Sequence, residues 1–239
     1  MVHNNVKNII LFFVILINTT VCRAAELPTP TARFVFNGTR YIGTATLINT
    51  TIRDNALYLD GKYCYYCTNA SEGYTAVFRP SVFNYQKFTV ATKLQTEDFT
   101  NGRTLFVGGT HCRWLAINVN SQGRIELKLN NGRFSRDIEG INLIQGNWAS
   151  ITISFDLTAK KIVVYFNGNR ASQILLPPDF VLEIINDSEW NKDDKAWTFT
   201  NYSNGRTFRG LIAGLLTFDT ILSDDQVLQL FQMMSSLGH

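Results

Sequence analysis

The run Phe208-Arg209-Gly210-Leu211-Ile212-Ala213-Gly214-Leu215-Leu216-Thr217-Phe218-Asp219, followed almost at once by Leu222-Ser223-Asp224-Asp225-Gln226, decides the reading of this 239-residue chain. The first part reads as a long apolar strand over 208–218. The second reads as the start of a helix: Ser223 is an N-cap candidate, and Asp224 and Asp225 complement the positive helix end. Val227, Leu228, Leu230 and Phe231 then supply an apolar stripe.

Working back from that close, short strands are expected at 56–60, 74–79, 87–95, 103–108, 113–119, 124–129, 149–155, 161–167, 170–176 and 196–200. Several alternate strictly. Ile151, Ile153 and Phe155 face one way and Thr152 and Ser154 the other, as Ile125, Leu127 and Leu129 do against Glu126 and Lys128. A period of two means sheets with one buried face. Asn101-Gly102, Gln122-Gly123, Asn131-Gly132 and Asn167-Gly168 mark turns where positive φ is cheap. Many short strands at this spacing indicate an all-β fold, a two-sheet antiparallel β-sandwich with one short C-terminal helix. Residues 26–54 are rich in Pro, Thr and Asn, with one extended patch at Phe34-Val35-Phe36, and read as a linker or an edge strand.

The order of pieces resembles the laminin G-like (concanavalin A-like) jelly-roll family. It opens with Asn55-Ala56-Leu57-Tyr58-Leu59-Asp60-Gly61 and continues through Gly146-Asn147-Trp148 and Ile162-Val163-Val164-Tyr165-Phe166-Asn167-Gly168. It ends on Phe208, Gly210 and Ile212 and the Leu-Ser-Asp helix start. The resemblance implies a jelly-roll domain over 53–235, preceded by an extension or edge strand at 25–52. It implies a core position for Trp148. Many relatives carry an acidic residue after the Ile of the last strand, where this chain has Ala213. Lectins, adhesion modules and glycosidases share such a fold, so function rests on sites.

Residues 1–24 read as a secretory signal. Lys7 precedes an apolar run from Ile9 to Ile17, and Cys22-Arg23-Ala24 offers small residues for cleavage. The run is shorter than the roughly 20 residues of a membrane span, so no stable span is expected and the protein is read as secreted. The 22 basic and 19 acidic residues come close to balance once Lys7 and Arg23 are set aside. Nothing in that balance suits nucleic acid, which wants a concentrated basic face. Asn-x-Ser/Thr occurs at Asn37, Asn49, Asn69, Asn186 and Asn201, which fits glycosylation on a secretory route.

Beyond the signal stand Cys64, Cys67 and Cys112. In an oxidising compartment one disulfide is the expectation, with Cys67 and Cys112 as the pair and Cys64 as the alternative partner. Either pairing closes a loop of about 50 residues, worth roughly 4 kcal/mol on the chain-entropy account. Zinc would need both His111 and Cys112, which point to opposite faces of an extended chain.

Catalytic patterns are sparse. A glycosidase on such a fold needs two facing carboxylates, whereas Glu126, Glu139 and Glu183 read as solitary. His111 is the one histidine away from the ends, so the chain is read as a non-enzyme. Binding chemistry has one centre, the acid-dense stretch Asn186-Asp187-Ser188-Glu189-Trp190-Asn191-Lys192-Asp193-Asp194-Lys195. Trp190 offers an aromatic face to a sugar ring, and Asp187, Glu189, Asp193 and Asp194 offer acceptors for hydroxyls. No cofactor is expected. A calcium ion, if used, would find its oxygen ligands in those four carboxylates. The expected partner is a glycan or an extracellular protein. The rival readings are a structural or adhesion component and, behind it, a carbohydrate-active enzyme.

Overall fold

The computed structural model describes residues 26–36, 44–48, 50–60, 75–79, 85–100, 102–108, 115–183, 197–198 and 208–237. Two antiparallel sheets carry the chain. The eight-stranded sheet contains β1 (Ala32–Val35), β3 (Thr51–Arg53), β4 (Ala56–Asp60), β6 (Lys87–Thr96), β11 (Trp148–Asp156), β12 (Lys161–Phe166), β13 (Asn169–Leu175) and β15 (Arg209–Phe218). The seven-stranded sheet contains β2 (Thr44–Ile48), β5 (Thr75–Arg79), β7 (Arg103–Gly108), β8 (Leu115–Val119), β9 (Arg124–Leu129), β10 (Phe134–Asn142) and β14 (Trp197–Thr198). The first runs β13-β12-β11-β6-β15-β4-β3 and the second β10-β9-β8-β7-β14-β5-β2. This is the expected two-sheet sandwich, with α1 (Asp224–Ser235) as its late helix.

Alternation decides which side chains enter the space between the sheets. Phe88, Val90 and Leu94 of β6, Ile151, Ile153 and Phe155 of β11, and Ile162 and Val164 of β12 point inward. They meet Ile117 of β8, Ile125, Leu127 and Leu129 of β9, and Ile138 of β10. Phe88 stacks on Phe155 with ring centroids 4.4 Å apart. Each fully buried side chain of this size contributes about 1.5–3 kcal/mol against exposure.

Segments outside the expected strands complete both sheets. β1 lies end to end with β4 along one edge of β15: Arg209–Ile212 pair with β4, and Gly214–Thr217 with β1. Phe34 of β1 is fully buried and packs on Phe78. β1 falls at the extended patch read as a linker or an edge strand, whereas β10, nine residues long, escaped the pattern. Its register shifts between Ile138 and Asn142, and its edge position leaves Arg136, Asp137 and Glu139 exposed, so the period of two is broken. The β3–β4 hairpin turns on Asp54 and Asn55 with φ of 50° and 54°, a two-residue turn of the hairpin-favouring hand.

The helix covers part of the outer face of the eight-stranded sheet. Val227, Leu230 and Met234 pack on Val163, Tyr165, Ala91, Leu216 and Phe218 in a second core. Its start is as expected: Ser223 accepts from Gln226 N and Gln226 reaches back to Ser223 N, a reciprocal cap. Tyr165 donates its hydroxyl to Asp224 at 2.7 Å, and burial, then this partner, pushes the phenol well above its ordinary pKa. Ala213 sits at the bulge between Ile212 and Gly214, fully buried in this second core. A carboxylate in its place would be withdrawn from water.

Candidate functional site

Trp190, Asp187, Glu189, Asp193 and Asp194 lie outside the described residues, as do Cys64, Cys67 and Cys112, the five asparagine acceptors and the N-terminal apolar run. Among the described residues no three metal-ligating side chains come together. None of the described helices is long and apolar enough to cross a membrane.

What the structure does assemble is a cross-strand row on the outer face of the eight-stranded sheet, beyond the last turn of α1. The register sets Trp148 opposite Gln95, Gln95 opposite Leu211, Leu211 opposite Tyr58, and Tyr58 opposite Thr51. Five strands contribute one residue each. Trp148, Gln95 and Leu211 are half-buried, while Tyr58 keeps 9% of its surface. From Trp148 to Tyr58 is three strand spacings, roughly 14 Å.

This corrects the core position expected for Trp148. It shares the parity of Thr152 and Ser154, so it faces away from Ile151, Ile153 and Phe155; Ala149 takes the inward place beside them. Trp148 rests instead against the second core, with the Lys93 ammonium 5.2 Å from its ring centre.

At the other end of the row the tight hairpin brings Arg53 over Tyr58, its guanidinium carbon 3.6 Å from the ring centre. Tyr58 donates its hydroxyl to Glu97 Oε2 at 3.2 Å, and Arg209 Nε donates to the same oxygen at 3.3 Å. The bond to Glu97 first, and then the neighbouring Tyr58 hydroxyl, raise the guanidinium pKa of Arg209. Gly210 makes this corner possible. Its φ is +145°, and a Cβ there would lie 1.9 Å from Gln95 O. The glycine lets β15 close on β6, so Glu97 N donates to Arg209 O at 2.9 Å. Arg53, Tyr58, Gln95, Glu97 and Arg209 escaped the sequence reading. Their signals were the Asp54-Asn55 turn and the common parity of Arg209 and Leu211.

The seven-stranded sheet carries a different outer row. Thr104 donates to Asn118 at 3.0 Å, Asn118 to Glu126 at 3.4 Å, and Ser135 to Glu126 at 2.6 Å; Lys128 stands 3.1 Å from the same carboxylate. Burial alone would raise the Glu126 pKa, but Ser135, Lys128 and Asn118 together take it below the usual value. Glu126 is not solitary, since the register places Asp137 directly opposite. A general acid on such a fold wants a raised pKa, and Glu126 is held ionised. Its arrangement suits a strand-to-strand tie.

Several solved structures similar to this chain share its fold at low identity. One is the binding domain of botulinum neurotoxin DC in complex with rat synaptotagmin II: TM-score 0.62, 16% identity, 85% of this chain and 51% of that one. A second is the botulinum neurotoxin type G receptor binding domain, with TM-score 0.58, 15% identity, and 86% and 51% coverage. A third is described by the dependence of botulinum neurotoxin type C cell entry on interaction with two ganglioside molecules, with TM-score 0.58, 11% identity, and 85% and 51% coverage. The chain therefore spans about half the length of each. No curated protein matches the sequence. Residues 69–228 match the family model, of laminin G type, described as the concanavalin A-like lectin/glucanases superfamily, and the chain belongs to that superfamily.

Proposed function

We propose that this chain is a secreted, non-enzymatic recognition module that binds a glycan or an extracellular protein. The observation that carries the reading is the row Trp148-Gln95-Leu211-Tyr58, an aromatic and amide-bearing strip, half-buried from Trp148 to Leu211, on the outer face of a lectin-like sandwich. Aromatic rings pack on the C–H faces of sugars and amides bond their hydroxyls, and tyrosine and tryptophan are equally the residues enriched where proteins meet. The partners named for the neurotoxin domains, gangliosides and synaptotagmin II, are consistent with either class, and this chain spans only half of those domains.

Under the same reading, residues 1–24 are removed on export and Cys67 pairs with Cys112. Asn37, Asn49, Asn69, Asn186 and Asn201 accept glycans. Trp190 with Asp187, Glu189, Asp193 and Asp194 forms a second contact that takes calcium where it needs it. Intact-mass analysis of secreted protein, with and without reductant and glycosidase, tests these features. For the module itself, a glycan array and an extracellular-protein pull-down with the full chain are decisive. A clean negative in both, from protein with a cooperative melt, sinks the proposal.

A further inference from the structure

The polar atoms that the row leaves open are mostly acceptors. Gln95 commits Nε2 to Gly146 O at 2.6 Å, and its Oε1 makes no hydrogen bond among the described residues. Tyr58 and Arg209 both donate to Glu97 Oε2, and Glu97 Oε1 is likewise unbonded there. The half-buried Trp148 makes no hydrogen bond among the described residues either. Its indole nitrogen is not one of their buried unpaired atoms, so that N–H reaches the surface. Nothing lies within 4 Å of a would-be Cβ on Gly146, which leaves open space beside the Gln95 amide. Charges at the Tyr58 end offset one another: the register sets Asp60 opposite Arg209, Glu97 holds the same guanidinium, and Asp54 adjoins Arg53 in the turn. Arg53 lies over the Tyr58 ring, so Trp148 is the aromatic of the row with surface to offer.

We propose that this row binds an uncharged glycan, with one sugar against Trp148 and Gln95 and the next reaching Glu97 beside Tyr58. This rests on the reading of the chain as a recognition module. A hydroxyl both donates and accepts, so a sugar can satisfy Gln95 Oε1, Glu97 Oε1 and the Trp148 indole N–H together. The bond to the carboxylate is charge-assisted and the strongest of the three. An oxyanion only accepts. It would meet two acceptor oxygens, one of them charged, in a corner whose arginines already face carboxylates. The size of the strip also selects the ligand. It spans roughly 14 Å across the strands and one two-residue repeat along them, on the order of 100 Å². A stable protein interface takes about 800 Å² from each partner, whereas a short oligosaccharide needs one ring face and a few hydroxyl bonds.

The test uses the full chain on an array of neutral hexose and N-acetylhexosamine oligosaccharides beside their sialylated, uronate and sulfated counterparts. Calorimetry follows on the best neutral glycan and its acidic counterpart. The neutral member should bind at least as tightly as the acidic one, and its affinity should change less than about twofold between about 50 and 500 mM salt. Gln95→Leu and Glu97→Gln should each weaken it about five- to tenfold in protein that still melts cooperatively. Trp148→Ala should weaken it at least about tenfold, and Trp148→Phe should restore part of the loss. A preference for the acidic member that salt abolishes overturns the inference and leaves the recognition module standing. Neutral-glycan binding untouched by Trp148→Ala and Gln95→Leu overturns it too, and moves the site off this row. A folded chain that binds extracellular protein and no glycan overturns it as well; one that binds neither overturns the module with it.

Discussion

Lys93 Nζ donates to Leu237 O at 2.5 Å and to Ser235 O at 2.9 Å, tying a central strand of the eight-stranded sheet to the end of the C-terminal helix. The last turn of that helix has no basic residue of its own. Helix ends leave carbonyls unsatisfied, and here a lysine distant in sequence supplies the missing donors. The side chain keeps 6% of its surface, and burial lowers its pKa below 10.5.

Lys93→Met should therefore loosen the helix end and cost about 2 kcal/mol, lowering Tm by roughly 4–8 °C in a domain of this size. The pH dependence has a definite sign. The unfolded chain holds this proton more tightly than the folded one, so stability drawn from Lys93 rises with pH up to 10.5. The gap between parent and variant should widen from pH 8 towards about pH 10. A gap that narrows there would mean the amine is not buried against the two carbonyls.

Trp148→Ala should behave as a partly exposed platform residue. Its loss of packing on the second core should cost about 1–2 kcal/mol, against about 2–5 kcal/mol for Ile153→Ala between the sheets. Urea unfolding of both variants ranks them. Equal costs would put Trp148 back in the core.

The parity of β11 shows how far the sequence could be read. Ile151, Ile153 and Phe155 announced the inward face, and the same alternation set Trp148 on the outer one; the family resemblance pulled the reading the other way. Strands with unbroken alternation, such as β9, and the capped helix at Ser223 were legible because local chemistry specified them. β10 was not, since a bulge and a solvated edge erase the period. The row from Trp148 to Tyr58 draws on residues far apart in the chain, and only strand order brings them together. Arg53 over Tyr58 was closer to hand, because Asp54-Asn55 between extended segments is a hairpin signal.

Asp98 gives a prediction at acid pH. Its carboxylate accepts from Thr100 N at 2.9 Å and from Arg103 at 2.5 Å, and these bonds, the backbone one first, hold its pKa at about 2 against 3.8. A depressed folded pKa stabilises above the unfolded value and is lost as pH falls through the folded one. Melting the parent and Asp98→Asn from pH 7 to pH 2 should show a constant difference down to about 4 that shrinks towards about 2. A difference independent of pH would show that the loop ion pair contributes nothing as a charge.

The last prediction separates crowding from conformation at two glycines. Gly146 has φ +79° with nothing within 4 Å of a would-be Cβ, whereas Gly210 has φ +145° with Gln95 O at 1.9 Å. Gly146→Ala should cost only the positive-φ strain, about 1–2 kcal/mol. Gly210→Ala adds an overlap with backbone that no rotamer can relieve, so β15 must part from β6 at that end. Its cost should exceed that of Gly146→Ala by at least about 2 kcal/mol. Parting the strands also withdraws Arg209 from Glu97, since Glu97 N is bonded to Arg209 O. Any ligand binding that depends on this corner should fall in Gly210→Ala and persist in Gly146→Ala. Thermal melts with binding measured on the folded fraction decide it. If the two variants melt alike, the close approach of the two strands at Gln95 is wrong.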